Sequence, residues 1–166
     1  MIATRFPDIG FHKIYPGLLQ VNNQKTKIGI YMSYLDEIEK HGQKANPFFC
    51  LFGIQPVLWG DGKASLEMQV RPEMTNGEGW LQGGIYTSLV DEAMALAIYT
   101  LLNKGEMIAT ISCTTTFLKG VRAGEMIRAE ASVIRRGRQI IFSEGSVSSE
   151  DGKTELARCS ASFIVR

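Results

Sequence analysis

The sequence predicts an α+β fold: an antiparallel sheet covered by one long apolar helix. Three observations carry this. Residues 83–103 form a single segment dominated by alanine, leucine and methionine, with a glycine pair at its start. Four strand-like runs follow it, at 107–118, 124–136, 139–149 and 154–165, separated by the turn-like stretches KGVRAG, RGR and EDGK. Before it, residues 54–71 read as strand, turn and strand. Strands joined by such short turns pair antiparallel, and the only apolar helix long enough must cover the sheet.

Taken in order, residues 1–30 carry weak periodicity with Pro7, Gly10, Pro16 and Gly17, and are read as an extension without an assigned element. YMSYLDEIEKHG (31–42) predicts a short amphipathic helix with Tyr31, Met32, Leu35 and Ile38 on one side and Gly42 as its stop. NPFFCLFG (46–53) predicts a second short helix or turn, with Asn46 as N-cap and Pro47 at the first helical position. Asp61-Gly62 is a hairpin signal. Leu66, Met68 and Val70 alternate with Ser65, Glu67 and Gln69, as a half-buried strand requires. RPEMTNGEGW is a loop rich in breakers. Asn103, Lys104 and Gly105 then close the long helix. The domain boundary falls between an extension over 1–45 and a main domain over 46–166.

Composition narrows the function classes. The net charge is +1 over 166 residues, so no global field points to nucleic acid or a membrane surface. No apolar run reaches transmembrane length, and the first residues lack a signal-peptide core. Cys50, Cys113 and Cys159 form no C-x-x-C pair and are read as reduced core thiols of a cytoplasmic protein. His12 and His41 are the only histidines, far apart in the chain, so no metal site is expected. A nucleophile elbow and a phosphate loop are both absent. GEGWLQGG is similar to a dinucleotide fingerprint, but its third glycine comes one position late and hairpins follow it. What survives is physical: Gly83 and Gly84 leave backbone N–H groups open at a helix start, where negative charge is stabilised.

Asp91 is the anomaly. A helix apolar almost all round is a buried helix, and a lone buried carboxylate is costly. Gly84, Thr87, Ser88, Asp91 and Ala95 share one stripe of small residues, open to a second backbone or a ligand. Two readings stand: Asp91 is satisfied structurally by Thr87, Ser88 or an arginine of the sheet, or it is catalytic. Glu92, about 100° further round, is read as an ordinary solvated or salt-bridged residue.

Asn76, Gly79 and LQGGIYTSLVDEAM together resemble the signature of hotdog-fold acyl-coenzyme A thioesterases of the phenylacetate-degradation type, and the resemblance spans about 46–166. It implies a hotdog fold, in which an antiparallel sheet wraps one long central helix, here with a helical N-terminal extension. It implies that the Gly83 N–H polarises the thioester carbonyl and that Asp91 is general base or nucleophile. Asn76 then helps place thioester or water, and Thr110 helps hold the water. One position departs: where the family has histidine before the glycine pair, this chain has Gln82, which can hydrogen-bond but cannot carry a proton.

The eight residues from Gly83 to Asp91 span about 12 Å of helix. A carbonyl held at Gly83 is therefore out of reach of the same chain's Asp91. The expected site is composite, with Gly83 and Gln82 from one protomer and Asp91 and Thr110 from the other, in a homodimer or a dimer of dimers. Gly84, Ser88 and Trp80 are the candidates for substrate contact, while Tyr86 is read as packing. Arg135, Arg136 and Arg138, with Lys119 and Arg122, are either a site for the coenzyme phosphates or a solvated hairpin tip. The resemblance implies no cofactor, because coenzyme A is part of the substrate. The alternative is a non-catalytic protein that binds acyl-coenzyme A or an acyl carrier. A hydratase would need a histidine near the helix.

Overall fold

The computed structural model describes residues 33–166. The extension over 1–30, with His12, and the first two residues of the expected 31–42 helix lie outside the described residues. Helix α1 (Tyr34–His41) begins at a capping box, in which Ser33 accepts from the Asp36 amide and Asp36 accepts from the Ser33 amide. Helix α2 (Pro47–Phe52) starts as its sequence predicts: the Asn46 side chain accepts from the Phe48 N–H, Pro47 opens the first turn, and Gly53 closes it at φ 73°. The structure corrects one cysteine. α2 buries Phe49 and leaves Cys50 exposed, so only Cys159 is a core thiol, with Cys113 half-buried.

Strands β1 (Gln55–Gly60) and β2 (Lys63–Gln69) form the expected hairpin. Asp61 and Gly62 both take positive φ, 48° and 74°, as a two-residue turn matched to strand twist demands. After the loop comes α3 (Gly83–Tyr99), then β3 (Ile108–Phe117), β4 (Met126–Arg136), β5 (Ile140–Ser149) and β6 (Glu155–Val165). All pairings are antiparallel, in the order β1-β2-β4-β5-β6-β3. This corrects one expected hairpin: across the KGVRAG stretch β3 and β4 do not pair, and β3 is an edge strand paired to β6 alone among the described residues.

α3 contacts every strand, the architecture of a hotdog fold. Leu89, Val90, Ala93, Met94, Leu96, Ala97 and Ile98 bury against Leu66, Met68, Ile127, Ala129, Val147, Ala157 and Phe163. The approach is closest at β5. A Cβ on Gly145 would lie 2.6 Å from Val90 Cγ2 and 2.8 Å from the Glu130 carbonyl oxygen, so only glycine admits the helix there. Among the described residues no helix is long and apolar enough to cross a membrane.

The helix ends earlier than its composition suggests, at Tyr99 rather than residue 103. Thr100 is the reason. Its hydroxyl donates to the Ala97 carbonyl at 2.6 Å and accepts from the Gly62 N–H at 2.7 Å, tying the helix end to the β1–β2 turn. Leu101 and Leu102 then bond three residues back, in a tightened turn. Asn103 does not cap the helix; its amides donate to the Glu106 carboxylate at 2.7 and 3.0 Å.

Candidate active site

Asp91 sits midway along α3 and faces β3. Its Oδ1 accepts from the Thr110 hydroxyl at 3.2 Å. The β3 register slips beside Thr110, between it and Ser112, and such a bulge re-aims a side chain. The structural partners expected for Asp91 are engaged elsewhere: Thr87 bonds Thr115 at 3.0 Å, and Ser88 donates to the Gly84 carbonyl at 2.9 Å. Among the described residues no arginine pairs with Asp91. Burial pushes its carboxyl above the ordinary aspartate value, and the Thr110 hydroxyl partly offsets this.

A cavity of about 410 Å³ opens at this point, lined by Asp91, Thr110, Glu92, Tyr34, Asn46 and Tyr99 among others. A larger hollow of about 570 Å³ lies across the sheet between Leu58, Lys63, Glu130, Glu144 and Arg158. The smaller one is the candidate site, because half-buried polar groups, two carboxyls among them, converge there. It corrects the reading of Glu92. That carboxyl is not salt-bridged among the described residues and is only partly open to solvent: it accepts from Asn46 Nδ2 at 3.2 Å and is pushed up to about 7 by burial and by Asp91 beside it. Only the helical period could have pointed to it, and that period does not say what folds over it.

Gly83 is the first residue of α3, and its N–H has no carbonyl four residues back to accept it. A Cβ there would lie 3.2 Å from the tip of the Phe117 ring, so the aromatic end of β3 crowds the helix start. Gly84 is exposed, and a Cβ there would meet open space among the described residues. Gln82 is the N-cap, but its side chain makes no capping bond and projects outward. Asn76 builds the preceding loop: its Oδ1 accepts from the Glu78 and Trp80 amides at 3.0 and 3.1 Å. Tyr86 is core; its hydroxyl accepts from the Val121 N–H at 3.1 Å and donates to the Lys119 carbonyl at 3.3 Å.

The basic residues divide into two groups. Arg122 lies 3.8 Å over the Trp80 ring, and Trp80 is bridged to it in the stretch between β3 and β4, so Arg122 and Lys119 belong to the Gly83 end of the molecule. Arg135, Arg136 and Arg138 occupy the β4–β5 tip, beside Ile140, Ile164 and Ala109, at the opposite end of β3 from Phe117. There Arg136 pairs with Glu106 at 3.2 Å. Within one chain the two groups do not meet.

Comparison with known proteins places the chain among thioesterases. The sequence pattern of the thioesterase superfamily matches residues 78–156. Human acyl-coenzyme A thioesterase 13 is 31% identical over 109 residues, covering 65% of this chain and 77% of that protein. The acyl-coenzyme A thioesterase PaaI of Escherichia coli is 30% identical over 102 residues, covering 61% and 71%. Among solved structures, a mutant of the phenylacetic acid degradation protein PaaI from Thermus thermophilus superposes with TM-score 0.65 at 26% identity, covering 72% of this chain and 98% of that one.

Proposed function

Because the chain belongs to the thioesterase superfamily, we propose that it hydrolyses an acyl-coenzyme A thioester to a carboxylic acid and free coenzyme A. One observation carries the reading. Asp91, set in an apolar helix, has the Thr110 hydroxyl as its only hydrogen-bond partner among the described residues and opens into a 410 Å³ cavity. A carboxylate held this way activates water, or attacks the thioester carbonyl itself. The first-turn N–H of Gly83 stabilises the oxyanion. Asn76 and Gln82 line the entry to that helix start, and Gly84, Ser88 and Trp80 meet the substrate. No cofactor takes part.

The site is composite in this reading. Gly83 and Asp91 of one chain stand about 12 Å apart, so Gly83 and Gln82 serve the partner's Asp91 and Thr110 in a homodimer. The edge strand β3 supports this: its Ile111 and Phe117 are exposed, and its outer edge is unpaired among the described residues, a surface proteins ordinarily cover. Two β3 edges meeting antiparallel would bring the Arg135–Arg138 tip of one chain to the Gly83 end of the other, reuniting the basic groups for the coenzyme phosphates. The main domain is taken as 46–166, and the protein as cytoplasmic, where its thiols stay reduced.

The test is thiol release from a panel of acyl-coenzyme A esters, wild type beside Asp91→Ala and Asp91→Asn. Loss of at least a hundredfold in kcat is expected. Unchanged turnover removes Asp91 from the reaction. The second reading, a binder without turnover, is favoured by Gln82 alone; coenzyme ester binding without hydrolysis, unaltered in Gln82→His, would establish it.

A further inference from the structure

Glu92 is a carboxyl that the mechanism above leaves unused, in the same cavity as Asp91. Its surroundings are built rather than incidental. The Asn46 side chain caps α2 through its Oδ1, which accepts from the Phe48 N–H at 2.9 Å. That bond fixes the amide orientation, so Nδ2 must point into the cavity, where it donates to Glu92 Oε2 at 3.2 Å and to the Tyr34 hydroxyl at 3.0 Å. The N-terminal helices thus hold one oxygen of Glu92 and leave the other toward the cavity. Among the described residues no lysine or arginine pairs with it. The titratable groups facing it are Asp91 on its own helix, Tyr34 on α1 and Tyr99 at the end of α3; β3 and β6 bring only Ile108, Ala109, Thr110 and Phe163. Two carboxyls that share one cavity without a cation cannot both ionise freely, so one keeps its proton. Each carboxyl has one donor, Thr110 for Asp91 and Asn46 for Glu92, but burial and the neighbouring Asp91 push Glu92 up to about 7, so Glu92 is the one that keeps the proton.

We propose that Glu92 is the acid of the reaction: it protonates the departing thiolate while Asp91 serves as base. This rests on the hydrolase reading. The step balances. Asp91 takes one proton from water as the new C–O bond forms. The tetrahedral intermediate collapses to the carboxylic acid, the C–S bond breaks, and the sulfur takes the Glu92 proton. Proton transfer from Asp91 to Glu92 then restores the pair. The Gln82 position, where a family histidine would stand, contributes no proton; Glu92 does.

Consequently kcat should follow a bell-shaped pH profile whose optimum lies below neutrality. The acid limb marks protonation of Asp91, above the ordinary aspartate value, and the alkaline limb marks ionisation of Glu92 near pH 7. Glu92→Gln keeps shape and the Asn46 bond but removes the titrating proton. Its kcat at pH 6–7 should drop about a hundredfold, its alkaline limb should vanish, and its melting curve should match wild type at about pH 4.5, where Glu92 keeps its proton. Asn46→Ala, which frees the carboxyl, should displace the alkaline limb without abolishing activity. Wild-type turnover together with an unchanged profile in Glu92→Gln overturns this inference alone. No turnover by wild type on any ester overturns the hydrolase reading and the inference together.

Discussion

Asp91 and Gly83 show how one helix serves two chemical ends. Asp91 was legible because a carboxylate amid alanine, leucine and methionine has no ordinary reason to be there. Glu92 was not, because its neighbours Tyr34 and Asn46 lie 58 and 46 positions earlier and reach it only after α1 and α2 fold back. At Gly83 the aromatic Phe117 sits where a methyl would go. Phe117 is half exposed, so its ring can yield. Gly83→Ala should therefore melt within about 2 °C of wild type. Its kcat/KM should nevertheless fall about tenfold or more, since a displaced ring and an added methyl crowd the carbonyl against the helix start. Kinetics and a melting curve on one preparation separate the two effects.

At the level of elements, the tight two-residue hairpin was easiest to read, whereas helix ends and the KGVRAG stretch, which joins two strands that do not pair, were hardest. Asp61-Gly62 encodes its turn locally. The end of α3 is decided instead by the Thr100 bond to Gly62, 38 residues away. Helix and sheet meet most tightly at Gly145, where an added Cβ meets both Val90 and an immovable strand carbonyl. Gly145→Ala should cost roughly 3 kcal/mol by overpacking, lowering Tm by about 6–12 °C for a domain of this size. A melt within a degree of wild type would show that α3 is free to lift from β5.

For the molecule as a whole, the carboxyls give stability a pH dependence with a definite sign. Glu92 holds its proton more tightly folded than unfolded, being raised from 4.5 to about 7. The folded state then binds more protons across that window, so the contribution is present below about 4.5 and is lost as pH rises toward 7. Its size is on the order of 2 kcal/mol, discounted because one oxygen meets cavity solvent. Tm should decline from pH 5 to 8 in wild type and stay flatter in Glu92→Gln. The exposed Asp36, Glu106, Asp151 and Glu155 carboxyls are lowered by their hydrogen bonds and act in the opposite sense, at pH below the ordinary carboxylate values. The composite site makes its own prediction. Mixing inactive Asp91→Ala with impaired Gly83→Ala chains and allowing exchange should restore about a quarter of wild-type activity, since half the dimers are hybrids and each hybrid has one intact site. No recovery in exchanged hybrids would place both groups of a site in one chain.

By itself the sequence determined the α+β order, the β1–β2, β4–β5 and β5–β6 hairpins and the oddity of Asp91 in an apolar helix, because periodicity, turn chemistry and a misplaced charge are local properties; that β3 pairs with β6 rather than β4 was not among them. Where α3 stops, that Cys50 is exposed, that the basic residues split between two ends of β3, and that Glu92 shares a cavity with Asp91 were decided by the tertiary structure alone. Each of these depends on which distant segment lies opposite a residue, and a one-dimensional pattern carries no record of that.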